Sequence, residues 1–152
     1  MKITDFLSPA DVELDVKAAN KGQLLRLLAT RAAAGAGLDA DEVATLIVKR
    51  EELGSTGVGN GVALPHARLT GLKAPFGLLA RLRRAIDFEA IDDQPVDIVF
   101  LLLLPEGADG EQLNALACAA RVLRNPAALS QVRGAANPDA LFRAITELGP
   151  AV

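Results

Sequence analysis

The 152-residue chain contains no tryptophan and no tyrosine, and five phenylalanines are its only aromatics. Ring faces on which bases stack are therefore scarce, which argues against binding of single-stranded nucleic acid. Cationic clusters are scarce too. Formal net charge is −3, and the densest basic stretch is Arg81, Arg83 and Arg84. A nucleic-acid footprint needs a larger basic face, and these three arginines read as a solvated strand end. One cysteine, Cys118, excludes an intrachain disulfide. With a single histidine, His66, too few of the usual ligands remain for a zinc site. No metal and no cofactor is implied. The longest apolar run, Ile98 to Leu104, is too short to cross a bilayer. Met1 to Leu7 lacks the apolar stretch of a signal peptide. These absences lead to the expectation of a cytoplasmic protein with no membrane insertion and no nucleic-acid partner.

What is present is aliphatic. Hydrophobic residues make up 51% of the chain, so it folds, and its core is Leu, Val, Ile and Ala. The length suits one domain, residues 1–152, with one sizeable core. A short helical turn is expected over Ile3 to Leu7, then a half-buried strand over Val12 to Val16. Asn20 caps a helix carrying Leu24, Leu25, Leu27, Leu28 and Ala32, which Gly35-Ala36-Gly37 ends. Asp39 and Glu42 begin the next helix in a capping-box pattern. Its apolar stripe, Val43, Leu46 and Ile47, continues to position 50, where the residue is Arg50. An arginine there either finds an anion or carbonyls, or snorkels at the helix end.

Further on, Val62 to His66 reads as a strand with Val62, Leu64 and His66 on one face. Pro65 lacks a ladder donor, so this strand is an edge or stops there. Phe76 to Arg83 alternates, with a short extension over Ile86 to Ala90, and Asp92 to Pro95 is a turn. Val96 to Leu104 is nearly continuously apolar, as a central strand covered on both faces would be. After a loop from Pro105 to Gly110, Leu113, Leu116, Ala117, Ala120 and Leu123 mark a helix stripe with Gln112 at its edge. Asn125 and Asn137, each followed by proline, start two short helices, the second carrying Leu141, Ile145 and Leu148. Strands interspersed with helices make one α/β domain.

The chemistry concentrates between Arg50 and His66. Gly54, Gly57, Gly59 and Gly61 fall within eight positions. A phosphate-binding P-loop needs a Gly-Lys-Ser/Thr end, and no lysine sits here. A dinucleotide fingerprint needs strand before loop and helix after, and this order is helix, loop, strand. Ser55 and His66 could belong to a hydrolase, but no nucleophile-elbow pattern surrounds Ser55. His66 can be structural. It can also be the nucleophile, because imidazole with a reference pKa of ~6.5 is plentifully neutral near pH 7. It would take up a phosphoryl group, with loop amides as a nest and Arg50 as a forked donor for the new anion.

The segment from Arg50 to His66, with its Gly54-Ser55-Thr56-Gly57-Val58-Gly59-Asn60-Gly61 centre and its Leu64-Pro65-His66 end, resembles the active-site signature of IIA phosphocarrier domains. These are domains of the fructose/mannitol family of the bacterial phosphotransferase system. The stretch Phe88 to Phe100 matches as well, and the likeness spans essentially the whole chain. The resemblance implies a mixed β-sheet flanked by α-helices. It implies that His66 accepts phosphate from an HPr-like phosphocarrier protein in a relay starting from phosphoenolpyruvate, a phosphotransferase-type activity through phosphohistidine. By the same resemblance Arg50 supports the phosphohistidine, and Ser55, Thr56, Gly57 and Asn60 line the same place.

Family members carry a second histidine at the start of a later helix, in a His-Leu context. The matching pair here is Gln112-Leu113, and Gln112 can hydrogen-bond but cannot carry charge. Onward transfer is then weakened, or it is not the main task. The stand-alone length points to a regulator whose phosphorylation state controls target proteins, with potassium transport or a sensor kinase as the implied targets and a link to nitrogen regulation. The alternatives are a sugar-specific IIA serving a IIB transporter domain, and a binding-only module.

Overall fold

Helix starts follow local chemistry closely. In the computed structural model, which describes residues 1–107 and 110–147 with the side chains of Glu111 and Gln112 excepted, capping side chains sit where the sequence puts them. Two single 3-10 turns, Ile3–Asp5 and Pro9–Asp11, lead into β1 (Val12–Val16). The Asn20 side chain accepts the Gln23 amide at 2.8 Å and starts α1 (Lys21–Ala36). Asp39 accepts the Asp41 amide at 3.2 Å and starts α2 (Ala40–Glu52). Next come β2 (Gly57–Gly59), β3 (Val62–Ala63), β4 (His66–Leu69), β5 (Phe76–Ile86) and β6 (Val96–Pro105). The C-terminal part holds α3 (Glu111–Leu123), α4 (Pro126–Gly134) and α5 (Pro138–Glu147). Asn125 caps α4 and Asn137 caps α5, each with proline in the first turn.

Among the described residues six strands form one mixed sheet, with β6 in the middle. β5 runs antiparallel along one side of β6, and β1 lies parallel outside β5. On the other side β3 and β4 lie end to end, both parallel to β6: Val62 pairs with Ile98, and His66 with Leu102. β2 pairs antiparallel with β3. This is a mixed α/β sheet with helices on both faces, as the resemblance implied.

The nearly unbroken apolar run of β6 is explained by two cores. Ile98, Phe100, Leu102 and Leu104 pack under α3, α4 and α5. Val99, Leu101 and Leu103 pack under α1 and α2. Each fully buried Leu or Phe contributes about 1.5–3 kcal/mol of transfer free energy, so this strand dominates the cohesion of both layers.

Three expectations need correction. The glycine stretch is not only a loop: β2 turns into β3 through Asn60 and Gly61, with φ of 58° and 79°. Asn-Gly suits this left-handed two-residue hairpin turn, a local signal hidden by the surrounding glycines. The strand expected to run from Val62 to His66 is two strands: it stops at Ala63, before Pro65, as the missing donor suggests, and β4 begins afresh at His66 as an edge strand paired with β6 alone. Pro65 gives no N–H, but its carbonyl still accepts the Leu102 amide at 2.9 Å. The buried side of α3 is Ala115, Cys118, Ala119, Val122 and Leu123, whereas Leu113 is 66% exposed. The helix is apolar around most of its circumference, so periodicity does not set its phase, and small Ala115 and Ala119 permit close approach to the sheet. In the C-terminal helix Leu141 and Ile145 are buried, and Leu148 lies outside the described residues.

Candidate functional site

His66 is the first residue of β4, just past the break at Pro65. Its Nδ1 lies 3.0 Å from the Leu64 carbonyl oxygen. A carbonyl only accepts, so Nδ1 carries the proton and Nε2 carries the lone pair. Partial burial pushes the His66 pKa below its usual value. The Leu64 hydrogen bond opposes that shift, the Arg50 charge adds to it, Glu51 opposes it and Arg68 adds to it. The neutral ring is thereby favoured near neutral pH, and neutral imidazole is the nucleophilic form.

The ring borders a cleft of about 330 Å³. Leu46 and Arg50 come from α2, Arg68 from β4, Leu104 from β6, and Leu113 and Leu116 from α3. The helix stripe anticipated at Leu46 and position 50 therefore faces this cleft, and Arg50 is the cation in it. Arg50 Nη1 also donates to the Gly54 carbonyl at 3.0 Å, which ties the end of α2 to the start of the glycine stretch. Two guanidinium groups beside one imidazole, between aliphatic walls, make a site suited to an anion attached to the ring.

The remaining expected site residues are placed otherwise. Thr56 is buried, donating its amide at 2.8 Å and its hydroxyl at 2.6 Å to the two carboxylate oxygens of Glu51. Glu51 in turn meets Lys21 Nζ at 2.8 Å, and Lys21 also donates to the Phe88 carbonyl and lies 4.6 Å from that ring's centre. Ser55 Oγ donates to the same Phe88 carbonyl and accepts the Gly57 amide. Gly57 has no room for a side chain, since a Cβ there would stand 2.7 Å from that of Ala90. Asn60 occupies the hairpin tip, where its amide donates to Asp92 and its carbonyl accepts Arg133. The amides of Gly54, Thr56, Gly57 and Asn60 are thus all bonded inside the protein. One bond links this framework to the histidine: the Thr56 carbonyl accepts the Leu64 amide at 2.9 Å, and Leu64 holds the ring. Gln112 is the second residue of α3, next to Leu113 in the cleft wall, and its side chain lies outside the described residues.

Sequence reasoning missed Arg68, Glu51 and Lys21. Arg68 had a signal, because strand residues two apart share a face and His66 was already singled out. The Lys21–Glu51–Thr56 chain had none, since Lys21 of α1 is brought to Glu51 only by the fold and nothing in the spacing of Glu51 and Thr56 announces their bonds.

A family model described as "Phosphoenolpyruvate-dependent sugar phosphotransferase system, EIIA 2" matches residues 5–148. A nitrogen regulatory protein of Bradyrhizobium diazoefficiens is 44% identical over 151 residues, covering 99% of this chain and 98% of the relative. One of Pseudomonas aeruginosa is 34% identical over 149 residues, covering 97% of each. The crystal structure of nitrogen regulatory protein IIA-Ntr from Neisseria meningitidis superposes with a TM-score of 0.88 at 30% identity, covering 95% of this chain and 99% of that one.

Proposed function

The chain belongs to the EIIA 2 family of the phosphoenolpyruvate-dependent sugar phosphotransferase system, and from that premise we propose that it is a regulatory phosphocarrier in which His66 is the phosphoryl acceptor. The observation that carries the proposal is the Nδ1–Leu64 hydrogen bond, which reserves Nε2 for reaction at a cleft shared with Arg50 and Arg68. The donor is an HPr-like phosphocarrier protein. Nε2 attacks its phosphoryl phosphorus; the new P–N bond forms as the bond to the donor breaks, and the donor leaves with that electron pair. The Nδ1 proton stays on the ring, held by Leu64, so the phosphorylated imidazole remains anchored.

The bound phosphoryl group adds about 1.5–2 negative charges to the cleft, by analogy with other phosphorylated side chains. Arg50 and Arg68 supply the compensating charge. Ser55, Thr56, Gly57 and Asn60 support the phosphate indirectly, by fixing the hairpin that presents Leu64 and His66. Gln112 serves as a neutral hydrogen-bond partner at the start of α3. Phosphorylation inverts the local charge of a small, partly apolar surface, which suffices to change which partner binds there. The relatives are named nitrogen regulatory proteins, which supports the regulatory branch. The proposed place of action is the cytoplasm, and the proposed targets are proteins such as a potassium transport system or a sensor kinase. Residues 1–152 act as one unit.

Incubation with phosphoenolpyruvate and the upstream carriers is expected to place one acid-labile phosphoryl group on the chain and none on His66→Ala. Labelling of His66→Ala equal to wild type overturns the assignment. Equal binding of candidate targets by the phosphorylated and unphosphorylated forms overturns the regulatory half. Restoration of sugar uptake in a strain lacking a sugar-specific IIA would then identify the chain as a transport component.

A further inference from the structure

A second concave site lies at the other end of the sheet. The antiparallel register of β5 and β6 puts Phe76 beside Leu103 near the His66 end, and Ile86 beside Val96 at the far end. At that far end a groove of about 540 Å³ is lined by Lys17, Ala18, Ala19, Gln23, Arg83 and Arg84. It is larger than the His66 cleft and shares no lining residue with it.

Backbone irregularity gathers the charge. On a regular strand consecutive residues point to opposite faces, so Arg83 and Arg84 would be separated. Here the β5–β6 register is interrupted between Arg81 and Ile86, and the β1–β5 register between Glu13 and Val16. Such interruptions re-aim side chains, and both arginines line one groove with Lys17. Most other cations of this region are used by the fold. Lys21 pairs with Glu51, Arg31 with Glu13, and Arg81 binds the carbonyls of Val132 and Ala135. Among the described residues Lys17, Arg83 and Arg84 have no such partner. Of the nearby carboxylates, Asp15 lies 4.0 Å from Arg81 and Asp87 accepts the Glu89 amide; among the described residues neither pairs with Lys17, Arg83 or Arg84. Gln23 adds to the pattern. Its side-chain oxygen accepts the Ala19 amide at 2.5 Å, so the group left to it is an NH₂ donor. Every uncommitted polar side-chain group in the groove is therefore a donor, and three of the four carry positive charge.

We propose that this groove binds a compact polyanion, a small non-aromatic molecule bearing two or more phosphate or carboxylate groups. The volume falls in the small-ligand range. The cations converge on a concavity instead of forming a stripe, which disfavours a nucleic-acid backbone. No aromatic side chain lines the groove, so a nucleobase has nothing to stack on. The proposal is independent of the function assigned to His66.

The test is titration of isotopically labelled protein with tripolyphosphate, citrate and orthophosphate, followed by amide chemical shifts. Shifts are expected at residues 17–23 and 82–86, with affinity falling as salt rises. The double variant Arg83→Gln/Arg84→Gln should bind tripolyphosphate at least tenfold more weakly, Arg50→Gln should bind it as wild type does, and phosphorylation of His66 should be unchanged in the double variant. Both arginines are exposed, so the fold should survive, as circular dichroism will check. Unchanged affinity in the double variant, shifts confined to residues 64–68, or orthophosphate binding as tightly as tripolyphosphate would overturn the proposal. An oligoglutamate peptide that outcompetes tripolyphosphate at the same residues would also overturn it, pointing to an acidic protein segment as the occupant.

Discussion

The two neighbours of β6 differ sharply. β5 is eleven residues long and follows β6 from Phe76 to Arg81 without a break in register. The other side is filled by β3 and β4, of two and four residues, separated at Leu64-Pro65. The continuous neighbour closes both cores. The interrupted one gives up ladder regularity and, at the break, turns the Leu64 carbonyl to the His66 ring. Cohesion and chemistry are thus divided between the two sides of a single strand, and the division can be tested from each side.

The largest effect on stability is expected from the strand they share. Phe100 is fully buried, and its ring meets that of Phe6 edge-on at 6.0 Å between centroids. Phe100→Ala should cost about 3–5 kcal/mol in urea unfolding. Labelling of the folded fraction should be unaltered; loss of labelling in well-folded protein would blur the division.

On the other side, Arg50→Gln should leave stability within about 1 kcal/mol. It should slow phosphoryl acceptance roughly 100-fold, the scale for removing one donor at a developing anion. A variant as fast as wild type in single-turnover labelling would show that Arg50 only snorkels. Glu51→Gln lies between the two. It takes the nearer carboxylate from Lys21, leaving Glu89 at 3.7 Å, and should cost about 1–3 kcal/mol by denaturant unfolding. It should also loosen Thr56 and, through Leu64, the imidazole; an unchanged protein would mean that the hairpin stands without this buried pair.

The smallest effect is on titration. The His66 pKa is lowered, mainly by burial. Acceptance should therefore stay level as pH falls through about 6.5, where a free imidazole protonates, and decline only below it. The same shift sets the stability slope. The folded state binds this proton less readily than the unfolded chain, so the contribution is fully present above about pH 6.5 and is lost as pH falls through the lowered native value. Arg68→Gln should move the His66 midpoint upward in an NMR titration; a downward shift would contradict the placement of Arg68 beside the ring.

Local chemistry explains which parts of this arrangement were legible in advance. Asn20, Asn125 and Asn137 announce helix starts because the side chain and the orphan amide are neighbours in sequence. The run Val96 to Leu104 announces a central strand because nothing in it tolerates water. Arg50 was visible because it interrupts an apolar stripe. Other features depend on relations that periodicity does not encode. The phase of α3 is not legible because an alanine-rich helix is apolar on most sides. The resemblance puts the polar groups of the glycine stretch at the phosphate, but Thr56 bonds to Glu51, five residues back, and Ser55 and Asn60 bond to Phe88 and Asp92, which only the fold brings near. Arg83 and Arg84 are the exposed strand end that the sequence suggests, whereas Arg81, grouped with them, is tied to the carbonyls of Val132 and Ala135, which lie far off in sequence.

In the proposed relay Nε2 of His66 carries the phosphoryl group while Nδ1 stays bonded to Leu64. His66 is the only histidine, so its ring signals are unambiguous. A proton–nitrogen correlation spectrum of the imidazole, recorded before and after phosphorylation with phosphoenolpyruvate and the upstream carriers, measures both nitrogens at once. The expected result is a protonated Nδ1 in both states, with phosphorus coupling appearing at Nε2. Phosphorus coupling at Nδ1, or an unperturbed ring in fully labelled protein, would contradict it.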